Sequence, residues 1–277
     1  MQANSVINNL SHIHNKQPWL VINAAQKFSL VKSKHPDISH FYTFKASAAK
    51  QTPVAVPDGC IDLLFDCDSD NPNGDVYGTP LEAMEVNLIT DHRYFGVRYQ
   101  SGVMPDFFNI SAGDLTDNHY SLNDLIPNSN QLLEQVTTEN NFLMQVNAFH
   151  QFMNEQMQRK HSPITTNIIN EICKRQGNVK IKELEKTTGF SLRTLQRKFQ
   201  DDMGMSPKTY SRIVRCQSAI YKINHDEKMT FLDLAFDLGF ADQPHFLKEF
   251  KKLVSTTPLH YQDKVKHESY LKKIDYI

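Results

Sequence analysis

Arg193, Gln196, Arg197 and Gln200 recur at helical spacing in the stretch SLRTLQRKFQ, and Leu195 and Phe199 lie four apart on the other side. Arg and Gln are the side chains that hold guanine and adenine edges by paired hydrogen bonds in a DNA major groove. The same residues also make an ordinary solvated helix face, and spacing alone does not choose between the two. A second stretch, ADQPHFLKEFKKL, offers Gln243, His245 and Lys248 outward while Phe246 and Phe250 turn inward. Lys251 and Lys252 at its end suit a phosphate backbone, as do Arg212 and Arg215 in TYSRIVRCQ.

What favours the groove-reading alternative is that the two stretches belong to one pattern written twice. LEKTTGFSLRTLQRKFQDDMGMSPKTY runs from Leu184 to Tyr210, and LAFDLGFADQPHFLKEFKKLVSTTPLHY from Leu234 to Tyr261. Leu184 and Leu234 are 50 apart, as are Gly189 and Gly239. Leu195 and Phe246 are 51 apart, and so are Phe199 and Phe250, Pro207 and Pro258, Tyr210 and Tyr261. Matched Gly, apolar and Pro positions describe two copies of a small helical unit side by side. In the first copy a short helix is predicted from about Lys180 to Thr188. Gly189 then makes the turn, and Ser191 caps a second helix over Leu192–Asp202. Helix, Gly-containing turn, helix is the helix-turn-helix shape. Pro207, tolerated at a first helical position, opens a linker helix running to about Asn224. The second copy follows from about Thr230, with Pro244 acceptable only in the first turn of its second helix. Upstream, Ile164, Ile168, Ile169, Ile172 and Cys173 give one more amphipathic helix ending at Gly177-Asn178.

The chain's 277 residues suggest two domains, each able to bury a core. A net charge of −1 argues for no particular partner, but the charge is uneven. His161–Ile277 holds 20 Lys and Arg against 14 Asp and Glu, and Met1–Lys160 holds 10 against 17. A basic half beside an acidic one points to a polyanionic partner for the basic half. Cys60, Cys67, Cys173 and Cys216 form no CxxC pair and no Cys/His cluster of zinc spacing, so no metal or cofactor is expected. Cys173 and Cys216 fall on apolar helix faces as core thiols, and Cys60 as a redox sensor lacks any neighbour in sequence that would lower its pKa. The N-terminal residues carry no basic-then-apolar leader, and no apolar run approaches ~20 residues. A cytoplasmic protein that does not span a membrane is expected.

Residues 1–17 are polar and read as a loose arm, in which His12 and His14 are an H-x-H pair without further ligands. From Trp19 the pattern changes to short runs that read as strands: WLVINA, SLVKS, ISHFYTF, PVAVPDG, CIDLLFD, VNLITDH and YFGVRYQ. Pro57-Asp58-Gly59 and the stretch Asp70–Gly78, DNPNGDVYG, read as turns. Such closely spaced strands suggest an antiparallel barrel or sandwich. Asp62 and Arg98 are charged residues inside strand-like runs, and an unpaired buried charge is costly. They either pair with each other or face outward, or Arg98 holds an anionic effector by bidentate bonds. One or two helices are predicted within Gln131–Arg159, packed on the strands or forming a self-association surface, with EQMQRKHSP as the junction.

The motifs GFSLRTLQRKF, GMSPKTYSRIVR and GFADQPHFLKEFKKLVSTTPLHY, over about Ile164–Gln262, resemble the DNA-binding domain of AraC/XylS-family bacterial transcription regulators. PDGCIDLLF and YFGVRYQSG with LTDNHYSLNDL resemble strand motifs of the sensor domains in a subset of that family. The resemblance implies an α+β chain. Residues 1–160 would be a mainly-β, barrel-like (cupin-like) sensing or dimerisation domain, with strands about 19–100 and helices about 120–159. Residues 161–277 would be an all-α DNA-binding domain, with one helix-turn-helix at about 180–202, a linker helix at 207–224 and a second unit at about 230–252. It implies a non-enzymatic activator that reads two adjacent major-groove segments of double-stranded DNA, with RNA polymerase, a small-molecule effector and a homodimer mate as further partners. Carried over by position, base contacts fall on Arg193, Gln196, Arg197, Gln243, Pro244 and Lys248. Four positions depart from the family pattern: Glu185 stands for a packed Ala, Pro244 for a polar residue, Ser255 for a helix-ending Gly and Gln262 for an Arg. The second unit is therefore expected to anchor more than it reads. Two other classes are an AraC-like domain fused to an alkyl-repair enzyme, which would need a metal-clustered cysteine set, and a protein-docking module.

Overall fold

The computed structural model describes residues 17–23, 25–48, 52–154, 162–226, 228–268 and 270–277. His12, His14 and most of EQMQRKHSP lie outside them. The N-terminal half is a sheet with helices. After helix α1 (Pro18–Asn23) come β1 (Ala25–Lys32), β2 (Ile38–Ala46), β3 (Val54–Ala55), β4 (Asp62–Asp66), β5 (Asn73–Tyr77), β6 (Met84–Glu85) and β7 (Arg93–Tyr99). Then follow α2 (Ala112–Leu115), β8 (His119–Ser121), α3 (Leu122–Leu125), α4 (Ser129–Thr137) and α5 (Phe142–Asn154). The C-terminal half is helical: α6 (Pro163–Lys174), α7 (Ile181–Thr188), α8 (Leu192–Met203), α9 (Pro207–His225), α10 (Phe231–Asp237), α11 (Gln243–Val254) and α12 (Pro258–His267). A 3-10 turn, Tyr270–Lys273, leads into β9 (Ile274–Tyr276).

The main sheet has the order β8-β5-β4-β7-β2-β1-β9, open at β8 and β9, while β3 and β6 pair separately. All of its pairs are antiparallel except β1 with β9, where Phe28 faces Ile274 and Leu30 faces Tyr276. The two-residue period of the strands sorts their side chains to two faces. Phe41, Leu63, Phe65, Phe95 and Val97 pack with Leu132, Val136 and Phe149 of α4 and α5. Phe28, Tyr42, Phe44, Leu64 and Tyr94 face the other way and share one core with α1 and the second helical unit, through Ala219, Ile220, Leu234, Phe246, Phe250 and Tyr261. The first unit has a core of its own, built from α6 to α8 and the first turns of α9 around Ile168, Ile172, Leu195, Phe199 and Tyr210. The linker helix α9 therefore contributes to both cores.

Three local expectations are corrected. Of WLVINA, the described residues WLVIN form a helix, not a strand. Pro18 presets the first helical position, and Trp19, Leu20, Val21 and Ile22 are all buried between the sheet and the helical half, so tertiary docking outweighs their strand preference. The Trp19 indole N–H donates to the Val254 carbonyl at 2.9 Å, and its ring meets Tyr261 edge-on. VNLITDH forms no strand: it turns back on itself, with His92 N–H donating to Ile89 O at 3.3 Å, touches the end of β2 only through Asp91 and His92 at Ala46, and leaves Ile89 exposed. DNPNGDVYG contains a strand, β5, because Gly74 and Val76 point into the core beneath a polar outer row. Its alternation is hidden by Asn, Gly and Asp, which usually mark turns.

The two halves meet at Gly59, whose φ is 77°. A side chain there would collide with the Tyr210 ring and the Ser101 hydroxyl, so glycine lets the linker helix seat against the sheet. Gln217 of the same helix donates to Pro57 O at 2.7 Å. Among the described residues, no helix is long and apolar enough to cross a membrane.

Candidate nucleic-acid interface

Each helix-turn-helix is built by the same local devices. In the first, α7 ends at Gly189 in the left-handed region, φ 75°, and Ser191 accepts from the Thr194 N–H to start α8. In the second, Gly239 has φ 69°, and Asp242 accepts from the His245 N–H at 2.7 Å to start α11. Leu195, Phe199 and Met203 bury the inner face of α8, as Phe246, Phe250, Leu253 and Val254 bury that of α11. The Glu185 carboxylate accepts from the Leu192 N–H at 2.6 Å and ties the two helices of the first unit together where a small residue would only have packed.

Arg193, Gln196, Arg197 and Gln200 are all exposed on the outer face of α8. Charge and hydrogen-bonding capacity are concentrated there, four long polar side chains within eight residues, with no ion pair among the described residues engaging either arginine. On α11, Pro244, His245 and Lys248 are exposed and Gln243 is half-buried. Pro244 sits in the first turn, where its missing N–H costs nothing, and it offers no side-chain hydrogen bond.

The four cations expected at phosphates are placed differently from one another. Lys251 is exposed. Lys252 is exposed and pairs with Glu82 of the N-terminal half at 2.7 Å. Arg212 is half-buried and its Nε donates to Glu249 at 2.6 Å. Arg215 lies with its guanidinium 5.0 Å from the centre of the Phe240 ring and donates from Nη2 to Gly177 O at 3.0 Å. Three of the four are thus engaged within the protein, and the two arginines line the cleft between the helical units.

Arg98 is 3 % exposed and is the centre of a buried cluster. It stands directly across from Asp62 on adjacent strands. Its Nε and Nη2 grip the two oxygens of Asp62, and Nη1 reaches Asp58 Oδ2 at 2.5 Å. Tyr42 donates to Asp62 at 3.2 Å, and Gln17 donates to Asp58 at 2.9 Å. Burial opposes the charge on Arg98, but Asp58 and Asp62 outweigh it and hold the guanidinium protonated more firmly than usual. The fork that could have taken an anionic effector is filled by the protein's own carboxylates. Cys60, beside them, is a thiol at neutral pH: burial first, then Asp58, push its pKa well up, the reverse of what a redox sensor requires. Cys173 and Cys216 are buried, as their apolar faces predict.

Sequence reasoning missed the residues that join the halves: Trp19, Ser101, Tyr210 as a hydrogen-bonding group, and Gln217. Nothing in their local patterns marks them, although Trp19 is the only tryptophan in the chain.

A family model described as a helix-turn-helix domain matches residues 184–264, and one described as a domain of unknown function (DUF6597) matches residues 35–121. The probable transcription factor PqrA of Proteus vulgaris is 32% identical over 104 residues, which are 35% of this chain and 84% of that protein. The HTH-type transcriptional activator RhaS of Klebsiella pneumoniae is 37% identical over 70 residues, 25% of this chain and 24% of its own. The chain thus spans most of the first relative's length and about a quarter of the second's. Among solved structures, ToxT from Vibrio cholerae aligns over 82% of this chain and 98% of its own with 11% identity and a TM-score of 0.44. The C-terminal domain of AraT from Geobacillus stearothermophilus aligns over 38% of this chain and 88% of its own with 20% identity and a TM-score of 0.36.

Proposed function

Because the chain belongs to the AraC/XylS family of bacterial transcription regulators, we propose that it lays α8 and α11 into two adjacent major-groove segments on one side of a DNA duplex and activates transcription from there. The observation that carries this reading is the exposed Arg193–Gln196–Arg197 face of α8, held on a capped helix by a core of its own. In α8 these three residues read bases. In α11, Gln243 and Lys248 make fewer base contacts, since Pro244 contributes none through hydrogen bonding, and the second unit serves mainly as an anchor. Lys251 contacts phosphate directly. Lys252 does so by exchanging its exposed partner Glu82, an inexpensive swap at a solvated pair. Arg212 and Arg215 reach phosphate only by leaving their internal partners.

Residues 1–160 act as the controlling domain and 161–277 as the DNA-binding domain. RNA polymerase, a small-molecule effector and a second copy joined through the N-terminal half are the further partners, and the setting is the cytoplasm, on the nucleoid when bound. An effector acting at Arg98 must displace Asp62 from its fork.

A mobility-shift titration over salt, on a duplex selected from a random pool and on an unselected one, tests the reading. Arg197→Ala weakens binding to the selected duplex by roughly 1–3 kcal/mol and relaxes selectivity at one base. Lys251→Ala weakens both duplexes alike and lowers the salt slope by about 1. Equal loss on the two duplexes for Arg197→Ala would overturn its base-reading role.

A further inference from the structure

A cleft of about 520 Å³ runs between the two helical units, along the side of the linker helix α9. That is within the range of about 300–1,000 Å³ typical of small-molecule sites. Its walls are apolar: Val179 and Ile181 ahead of and within α7, and Phe246, Phe250 and Leu253 from α11. Its charges are lopsided. Lys208, Arg212 and Arg215 line it, and Glu249 is its one carboxylate among the described residues. Glu249 is already taken by Arg212. Arg215 has donors to spare. Among the described residues Gly177 O is its single hydrogen-bond acceptor, its Nε is buried without one, and its guanidinium lies over the Phe240 ring. An arginine pinned by an aromatic ring, at the edge of an apolar slot, is pre-organised for a planar anion.

We propose that this cleft is a binding site for a small amphipathic carboxylate, an aromatic or alkyl acid whose carboxylate meets Arg215 and whose apolar body lies against Ile181, Val179 and Phe240. An inorganic anion or a bare phosphate would satisfy the arginine and leave Ile181, the half-exposed apolar residue of the wall, uncovered. A neutral hydrocarbon would fill the slot and leave Arg215 with unmet donors. The occupant touches both α9 and α11, so it sits at the joint that sets the spacing of the two units.

The test uses the full chain without DNA, so its outcome is separate from that of the DNA-binding reading. Isothermal titration with 2-naphthoate gives saturable one-site binding, and the neutral isostere 2-naphthalenemethanol binds roughly ten- to a hundredfold more weakly, the margin of one charge-assisted hydrogen-bond pair. Arg215→Gln loses a similar factor for the acid and little for the alcohol. Glu249→Gln, which removes the competing carboxylate and frees Arg212, tightens the acid severalfold and leaves the alcohol unchanged. Should Arg215→Gln fail to fold, Glu249→Gln carries the test by itself. Absence of saturable binding at millimolar 2-naphthoate, equal affinity for acid and alcohol, inorganic phosphate binding as tightly as the acid, or indifference to both substitutions would each overturn the site.

Discussion

The hydroxyls of Ser101 and Tyr210 lie 2.7 Å apart across 109 residues of sequence, and this hydrogen bond joins the sheet half to the linker helix. Ser101 donates onward to Asp58 O at 3.0 Å, so Tyr210 is the donor of the pair. Asp58 in turn holds Arg98 and Gln17. The linker helix is thereby tied through three polar links to the buried arginine of the sheet.

Tyr210→Phe removes the buried hydrogen bond to Ser101 and the weak one to Cys173 Sγ at 3.7 Å, while keeping the ring that packs on Gly59. The expected cost is about 1 kcal/mol, because Ser101 keeps its bond to Asp58 and only Tyr210's contribution is lost. Urea unfolding followed by far-ultraviolet circular dichroism checks it. No shift in the midpoint would mean that the joint is held by packing alone.

Trp19 is 5% exposed, and its N–H caps the C-terminal end of α11 through Val254 O. Trp19→Ala is expected to cost roughly 3–5 kcal/mol. Trp19→Phe should cost less, mainly the unpaired carbonyl. Since the chain holds a single tryptophan, native emission is blue-shifted and moves to the red when α1 separates from the second unit. Fluorescence against denaturant therefore reads this contact without a label.

Ser255 ends α11 with φ 63°, a left-handed conformation that disfavours any side chain. Its counterpart 51 residues earlier is Gly204, φ 68°. Ser255→Gly relieves roughly 1 kcal/mol of strain, partly offset by the added freedom of the unfolded chain. A small rise in melting temperature is expected, with DNA affinity unchanged.

His92 donates from Nδ1 to the Asp66 carboxylate at 2.8 Å, and that hydrogen bond raises its pKa above the ordinary 6.5. A raised folded-state pKa stabilises fully below about 6.5, where the unfolded chain is protonated too. The benefit is lost as pH climbs through the folded value. His92→Gln is accordingly expected to lower the melting temperature more at pH 5.5 than at pH 8.5. Thermal unfolding of both proteins at the two pH values measures the difference, and an effect larger at pH 8.5 would contradict the pair.

The tandem helical units were legible from sequence because each carries its own punctuation. Ser191 and Ser206 cap their helices, Pro207 and Pro258 open theirs, and the apolar positions repeat at helical spacing. The Asp62–Arg98 pair was legible as one of several options, since strand-borne charges need partners. Less visible was anything decided by a distant neighbour. Arg212 and Arg215 look like free cations until Glu249, Phe240 and Gly177 are folded against them. WLVIN looks like a strand until both of its sides are covered. Glu185 looks like a misfit until it meets the Leu192 N–H seven residues on.

The parallel pairing of β9 with β1 has a consequence for how the chain is made. β1 leaves the ribosome early, while Ile274–Tyr276 follows every helix of the tandem unit. One flank of the sheet stays uncovered until both helical units have been synthesised. The sheet is therefore completed only after translation of the tandem unit, so a nascent chain stalled within it exposes the β1 edge to a chaperone or to another nascent chain.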